Sequence, residues 1–224
     1  MNATTDEFRG RSPLPDYGRP PVIEVVCGLQ FDPLPDFKAP ALGLFWSRIR
    51  QEYPAASEQP ELAPAIGLFG KPVVANGPRL EVTTTPPLPR MFFVNSVQNW
   101  LIQLQRDRFL HNWRKVEQDD PYPRYPNVFG KFWDAWTKFR AFCADESFGT
   151  PTVRQCEITY INHIPVGEGW HSLGDIAEVF PDLGWRTRQR FLPGPESVAW
   201  RSGFLLPESQ GRLHVSIRHA VRVK

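Results

Sequence analysis

Between Val22 and Phe31 the apolar residues Ile23, Val25, Cys27, Leu29 and Phe31 fall on one parity, and Glu24, Val26, Gly28 and Gln30 fall on the other. This period of two predicts a strand with one strongly buried face, and it points Cys27 into the core. The period then lengthens. Leu42, Phe45, Trp46, Ile49 and Tyr53 recur at steps of three and four, which predicts a helix with a single apolar stripe, ended with the help of Pro54. Residues 54–78 carry Pro54, Pro60, Pro64, Pro72 and Pro78 and predict a long loop holding at most short helical or extended pieces.

Four short strands are expected next, at Arg79–Thr84, Arg90–Asn95, Trp100–Gln105 and Phe109–Lys115. The last two make a hairpin, because Arg106-Asp107-Arg108 is too short a connection for anything but antiparallel neighbours. The clearest helix follows the prolines at 121–126, with Asn127 as its expected N-cap and Phe129, Phe132, Trp133, Trp136, Phe139 and Cys143 assigned to a core-facing side. Thr152–Ile164 alternates again, with Cys156, Ile158 and Tyr160 on one face and Gln155, Glu157 and Thr159 on the other, until Pro165 stops it. Ser172 is placed to cap a short helix ending near Phe180, and strands at Arg186–Leu192, Ser197–Leu206 and Arg212–Val223 complete the series.

Consecutive strands with short turns imply an α+β fold: a curved, largely antiparallel sheet with helices packed on one face. Residues 1–20, polar and rich in proline, are expected to form a mobile arm before a single domain over 21–224. The element order suggests two pseudo-repeats of a strand-helix-strands unit, 21–144 and 152–224, an order similar to the saddle of TATA-binding-like folds. The second unit lacks a closing helix, and alternation still runs at Lys224, so we expect a fragment without its C-terminal helix.

Composition narrows the function classes only a little. The 224 residues are 41% hydrophobic and 22% charged with a net charge of +2, so no global field attracts nucleic acid or an anionic membrane. Three widely spaced cysteines, Cys27, Cys143 and Cys156, form no C-x-x-C pair and suit a reducing cytoplasm. No run of 18 apolar residues occurs, so no membrane-spanning helix is expected.

Three segments together carry a resemblance: Pro20-Pro21-Val22-Ile23-Glu24-Val25-Val26-Cys27-Gly28-Leu29-Gln30-Phe31, Leu101-Ile102-Gln103-Leu104-Gln105-Arg106-Asp107-Arg108-Phe109, and Asn112-Trp113-Arg114-Lys115. They resemble a sporadically distributed family of bacterial proteins of unknown function. The likeness covers about residues 19–224 and implies continuation past Lys224 into a helix. It implies no catalytic residue.

Residue by residue, recognised chemistry is sparse. His214 and His219 have opposite parity, and His163 and His171 lack matching carboxylates, so neither pair suggests a metal site. No G-x-S-x-G elbow is present, and Cys27 and Cys156 sit on apolar strand faces where a thiol usually packs inertly. Gly167-Glu168-Gly169 reads as a turn, and Glu117, Asp119 and Asp120 read as a solvated loop. No catalytic residue, metal or cofactor is therefore assigned.

Two kinds of surface stand out. Residues 186–224 hold eight basic and two acidic residues, with Arg186 and Arg188 on one strand face and Arg218 and Arg222 on another, while Arg106, Arg108 and Arg114 interleave with Phe109, His111 and Trp113 in the hairpin. Together Arg106, Arg108, Arg114, Arg186, Arg188, Arg218 and Arg222 are the candidate anion or nucleic-acid contacts. Glu24, Gln30, Gln103, Gln105, Gln155 and Glu157 occupy the non-core parity of three strands and would form a polar floor able to face water, a small ligand or a protein.

The leading expectation is a non-enzymatic bacterial cytoplasmic protein that binds a protein partner through its sheet face and hairpins. The alternatives are a module for nucleic acid or a phosphate ligand, and an enzyme whose best residues would be Glu24, Glu157 and His163. No membrane role is expected.

Overall fold

The computed structural model describes residues 17–63, 88–184, 191 and 193–221. The strand expected at 79–84, and all of that expected at 186–192 except Phe191, lie outside the described residues, as do Arg186, Arg188 and Arg222. The chain divides into two units, the first containing described residues up to His163 and the second those from Ile164 onward.

The first unit is built on β1 (Val22–Phe31), β2 (Ala55–Gln59), β3 (Arg90–Val94), β4 (Trp100–Gln105), β5 (Arg108–Arg114) and β6 (Val153–Asn162). They form one antiparallel sheet in the order β2-β3-β4-β5-β1-β6. Helices α1 (Ala39–Ile49) and α2 (Tyr125–Asp145) complete the unit. The α+β class with an antiparallel sheet is therefore what the molecule has.

The core lies between helices and sheet. Val25, Cys27, Leu29 and Phe31 of β1, Phe93 of β3, Ile102 and Leu104 of β4, and Phe109 and Trp113 of β5 meet Phe45 of α1 and Phe132, Trp136, Phe139 and Phe142 of α2. Phe139 is the hub: its ring centroid lies 5.3 Å from those of both Phe45 and Phe109, within the range where aromatic pairs attract beyond simple burial. At the other end of the helices, Arg48 of α1 donates to Asp145 and Glu146 at 2.5 Å, joining the two C-terminal ends and placing a cation where helix carbonyls favour it.

Gly28 stands where β1 is flanked on both sides. A Cβ there would lie 2.2 Å from Leu110 Cδ2 and 3.0 Å from Glu157 Cγ, so the position needs a residue without a side chain.

Several details differ from the sequence reading. Ala55–Gln59 is a strand although it is short and largely polar, because its main chain pairs with β3 from Ala55 opposite Val94 to Gln59 opposite Arg90. Helix α2 begins at Tyr125, not after Asn127. Its N-cap is Arg124, at φ 68°, Pro126 occupies the first turn, and the Asn127 side chain donates to the Pro123 carbonyl. Phe129 and Trp133 are exposed, and Val128, Ala135 and Phe142 take the core positions. Cys156 is exposed, unlike Cys27 and Cys143.

The second unit contains a short helical stretch and the hairpin β7 (Ala199–Leu205) with β8 (Arg212–Arg218). Ser172 and Asp175 form a capping box, in which Asp175 Oδ2 accepts from the Ser172 amide at 2.8 Å, at the start of the turn that leads into α3 (Ile176–Val179). Gly167 and Gly169, at φ 94° and 86°, sit in a turn closed by the Gly167 amide on the Trp170 carbonyl at 2.8 Å.

Candidate functional site

The sheet side away from the core holds the polar positions. Strand register arranges them in rows across β4, β5, β1 and β6: Gln105, Arg108, Gln30 and Gln155 in one, and Gln103, Leu110, Gly28 and Glu157 in the next. Glu24 lies further along β1 opposite Arg114. Arg90 flanks the first row on β3, one residue before Met91, which pairs with Leu104.

This floor is not open to water over its centre, since Gln30, Gln103, Gln105, Arg108 and Asn112 are all buried. Most of its polar groups pair with one another, as buried polar atoms generally do, the Nε atoms of Arg90 and Arg108 being exceptions. One chain runs diagonally from β3 to β1: Arg90 Nη1 donates to Gln103 Oε1 at 2.8 Å, Gln103 Nε2 to Asn112 Oδ1 at 2.9 Å, and Asn112 Nδ2 to Glu24 Oε1 at 2.5 Å. A second runs from β5 to β6, with Arg108 Nη2 donating to Gln30 Oε1 at 2.8 Å and Gln30 Nε2 to Glu157 Oε2 at 3.2 Å. The segment after β2 closes over the row. Leu62 pairs with the Gln105 amide through both its N–H and its carbonyl at 3.1 and 3.0 Å, and the Ala63 carbonyl accepts from Arg108 at 3.2 Å.

The hairpin arginines are consequently split. Arg106 is exposed in the turn, 3.8 Å from Glu61, Arg108 is buried in the floor, and Arg114 donates from Nε to the Gln98 carbonyl at 2.6 Å. Phe109, His111 and Trp113 face the core and are buried, so they offer no surface on which bases could stack. In the second unit Arg218 and Arg201 share a face of the β7–β8 hairpin with Arg212 and His214, as register dictates. Glu24, Glu157 and His163 do not gather. Glu157 is opposite Gly28, four residues or about 13 Å from Glu24, and His163 lies beyond the end of β6, bonded through its amide to the Pro21 carbonyl.

Two participants escaped the sequence reading. Arg90 and Asn112 are on the same strand parities as Phe92 and Arg108, so parity applied to β3 and β5 would have found them.

A second feature lies on the helix side. Tyr125, Phe129 and Trp133 recur every four residues on α2 as an exposed aromatic row, with neighbouring centroids 5.7 and 6.2 Å apart. The row borders a groove floored by Cys27, Leu29 and Ile158. Strand β6 is one of the two end strands of the sheet, and its helix-side residues Ile158 and Tyr160 are exposed too. Burial pushes the Cys27 thiol up to about 11, which keeps it protonated and unreactive. Burial first, and then a hydrogen bond with Tyr122, raises the Tyr160 hydroxyl.

Among the described residues no three His, Cys, Asp or Glu side chains come together as a metal site, and no helix is long and apolar enough to cross a membrane. Compared with known protein families, curated proteins and solved structures, the chain matches none.

Proposed function

We propose that the chain is a non-enzymatic, cytoplasmic bacterial binding module that engages a protein partner. The contact is assigned to the aromatic row of α2 and the adjoining edge strand β6, in place of the sheet floor. The observation that carries this reading is the exposure of Tyr125, Phe129 and Trp133 beside Ile158 and Tyr160, at 40% or more each. Exposed apolar patches of this kind are the usual mark of a protein contact, and aromatic side chains are enriched at the energetic centres of such contacts. Among the described residues β6 pairs with β1 alone, so it offers a sheet edge that a partner strand can extend. The floor is less suited to a protein contact because its central residues are buried and most of their donors and acceptors are spent on one another.

Native mass spectrometry of the protein purified gently at low salt from its own host tests the reading. A discrete protein-sized addition is expected for the unaltered chain and is expected to vanish in a Phe129→Ser, Trp133→Ser variant. An addition retained by that variant, or one removed by nuclease, overturns it.

A further inference from the structure

Arg90 and Arg108 lie on β3 and β5, separated by β4, so their Cα atoms are about 10 Å apart on the same sheet face. Arg108 is 6% exposed. It spends Nη2 on Gln30 and the Ala63 carbonyl, and Arg90 spends Nη1 on Gln103. The Nε atoms of both are buried with no hydrogen-bond partner. Neither guanidinium has a carboxylate within ion-pair distance among the described residues, whereas the exposed Arg48 and Arg154 each do.

The acids of this face do not compensate. Glu24 and Glu157 receive neutral amides, from Asn112 and Gln30, and Asp107 accepts from Gln105. A buried cation, Arg108, and a half-buried one, Arg90, thus share a row with donors to spare, an arrangement that is costly unless something neutralises it. The cations sense each other: desolvation, and then the charge of Arg108, lower the Arg90 pKa.

We propose that Arg90 and Arg108 together bind a small oxyanion, a phosphate or carboxylate group, on the buried face of the sheet between β3 and β5. The planar guanidinium fork suits such groups, and each unpartnered Nε–H adds a donor. Arg108 is too enclosed to meet a polymer backbone, so the ligand is a small molecule. This site is independent of the aromatic row.

Thermal unfolding of the full chain in chloride, inorganic phosphate and succinate, at equal ionic strength and pH 7, tests the assignment. A saturable rise in Tm with phosphate or succinate over chloride is expected, and the anion that is effective identifies the chemistry. The rise is expected to be lost in Arg108→Gln and kept in Arg106→Gln. Because Arg108→Gln also removes native hydrogen bonds, Arg90→Lys is the second variant. It keeps a cation but not the fork, and should weaken the apparent affinity at least about tenfold. No saturable rise with either anion, or an unchanged affinity in Arg90→Lys, overturns the proposal.

Discussion

Gln30 joins Arg108 to Glu157 without letting them touch: its carbonyl oxygen accepts from the guanidinium at 2.8 Å and its amide donates to the carboxylate at 3.2 Å. A buried amide used at both ends links two charged groups of opposite sign on the two strands that flank β1. Gln30→Leu keeps the volume and removes both bonds, leaving the buried Arg108 short of an acceptor. We expect a loss of about 1–3 kcal/mol in urea unfolding. A change below about 0.5 kcal/mol would mean that the relay contributes nothing.

Gly28→Ala tests the closest approach in the sheet. The added Cβ would meet Leu110 Cδ2 at 2.2 Å, and Leu110 is itself buried, so the leucine must move into occupied space. Overpacking of this kind costs about 1–3 kcal/mol. Shortening the neighbour should relieve it: Gly28→Ala combined with Leu110→Ala is expected to be less destabilising than the sum of the single changes. A strictly additive double-mutant cycle in chemical denaturation would refute the contact.

How much of this was legible in the sequence depends on what each pattern encodes. Alternation revealed β1 and the β4–β5 hairpin, and it placed Cys27 correctly, because one face of each strand is almost wholly apolar. Strand β2 carried no such signal, since Ala55-Ala56-Ser57-Glu58-Gln59 is held by main-chain pairing that propensity does not record. In α2 the turns are aromatic nearly all round, so periodicity could not say which 100° of the helix is buried. The floor residues were found by parity, but not their burial. Polar side chains on the second face of a sheet read as solvent-facing until their mutual hydrogen bonds, between strands distant in sequence, are seen.

Trp133 and Trp136 separate the two faces of α2 within one turn. Trp133 is 50% exposed and Trp136 is 3% exposed. Trp136→Ala empties a site packed against Phe31 and Phe109, and is expected to cost about 3–5 kcal/mol. Trp133→Ala should cost under about 1 kcal/mol in the isolated protein while weakening partner binding. Equal destabilisation by the two changes in thermal melts would show that the aromatic row is structural.

His111 should make stability depend on acid. Its ring is fully buried, stacked 5.3 Å from Trp100, with Nε2 2.8 Å from the Tyr53 hydroxyl and Nδ1 without a partner. Burial, with the nearby Lys131 ammonium adding to it, lowers the pKa to about 3. The unfolded chain binds this proton near pH 6.5, so between about pH 6.5 and 3 the unfolded state holds more protons than the folded one. The contribution of His111 to stability is therefore complete above about pH 6.5 and declines as pH falls toward 3, by a few kcal/mol at most. His111→Phe removes the titration and is expected to flatten the unfolding free energy over that window, whatever its effect at neutral pH. Parallel pH profiles for the two proteins between pH 7 and 4 would show that the imidazole is not held neutral by the fold.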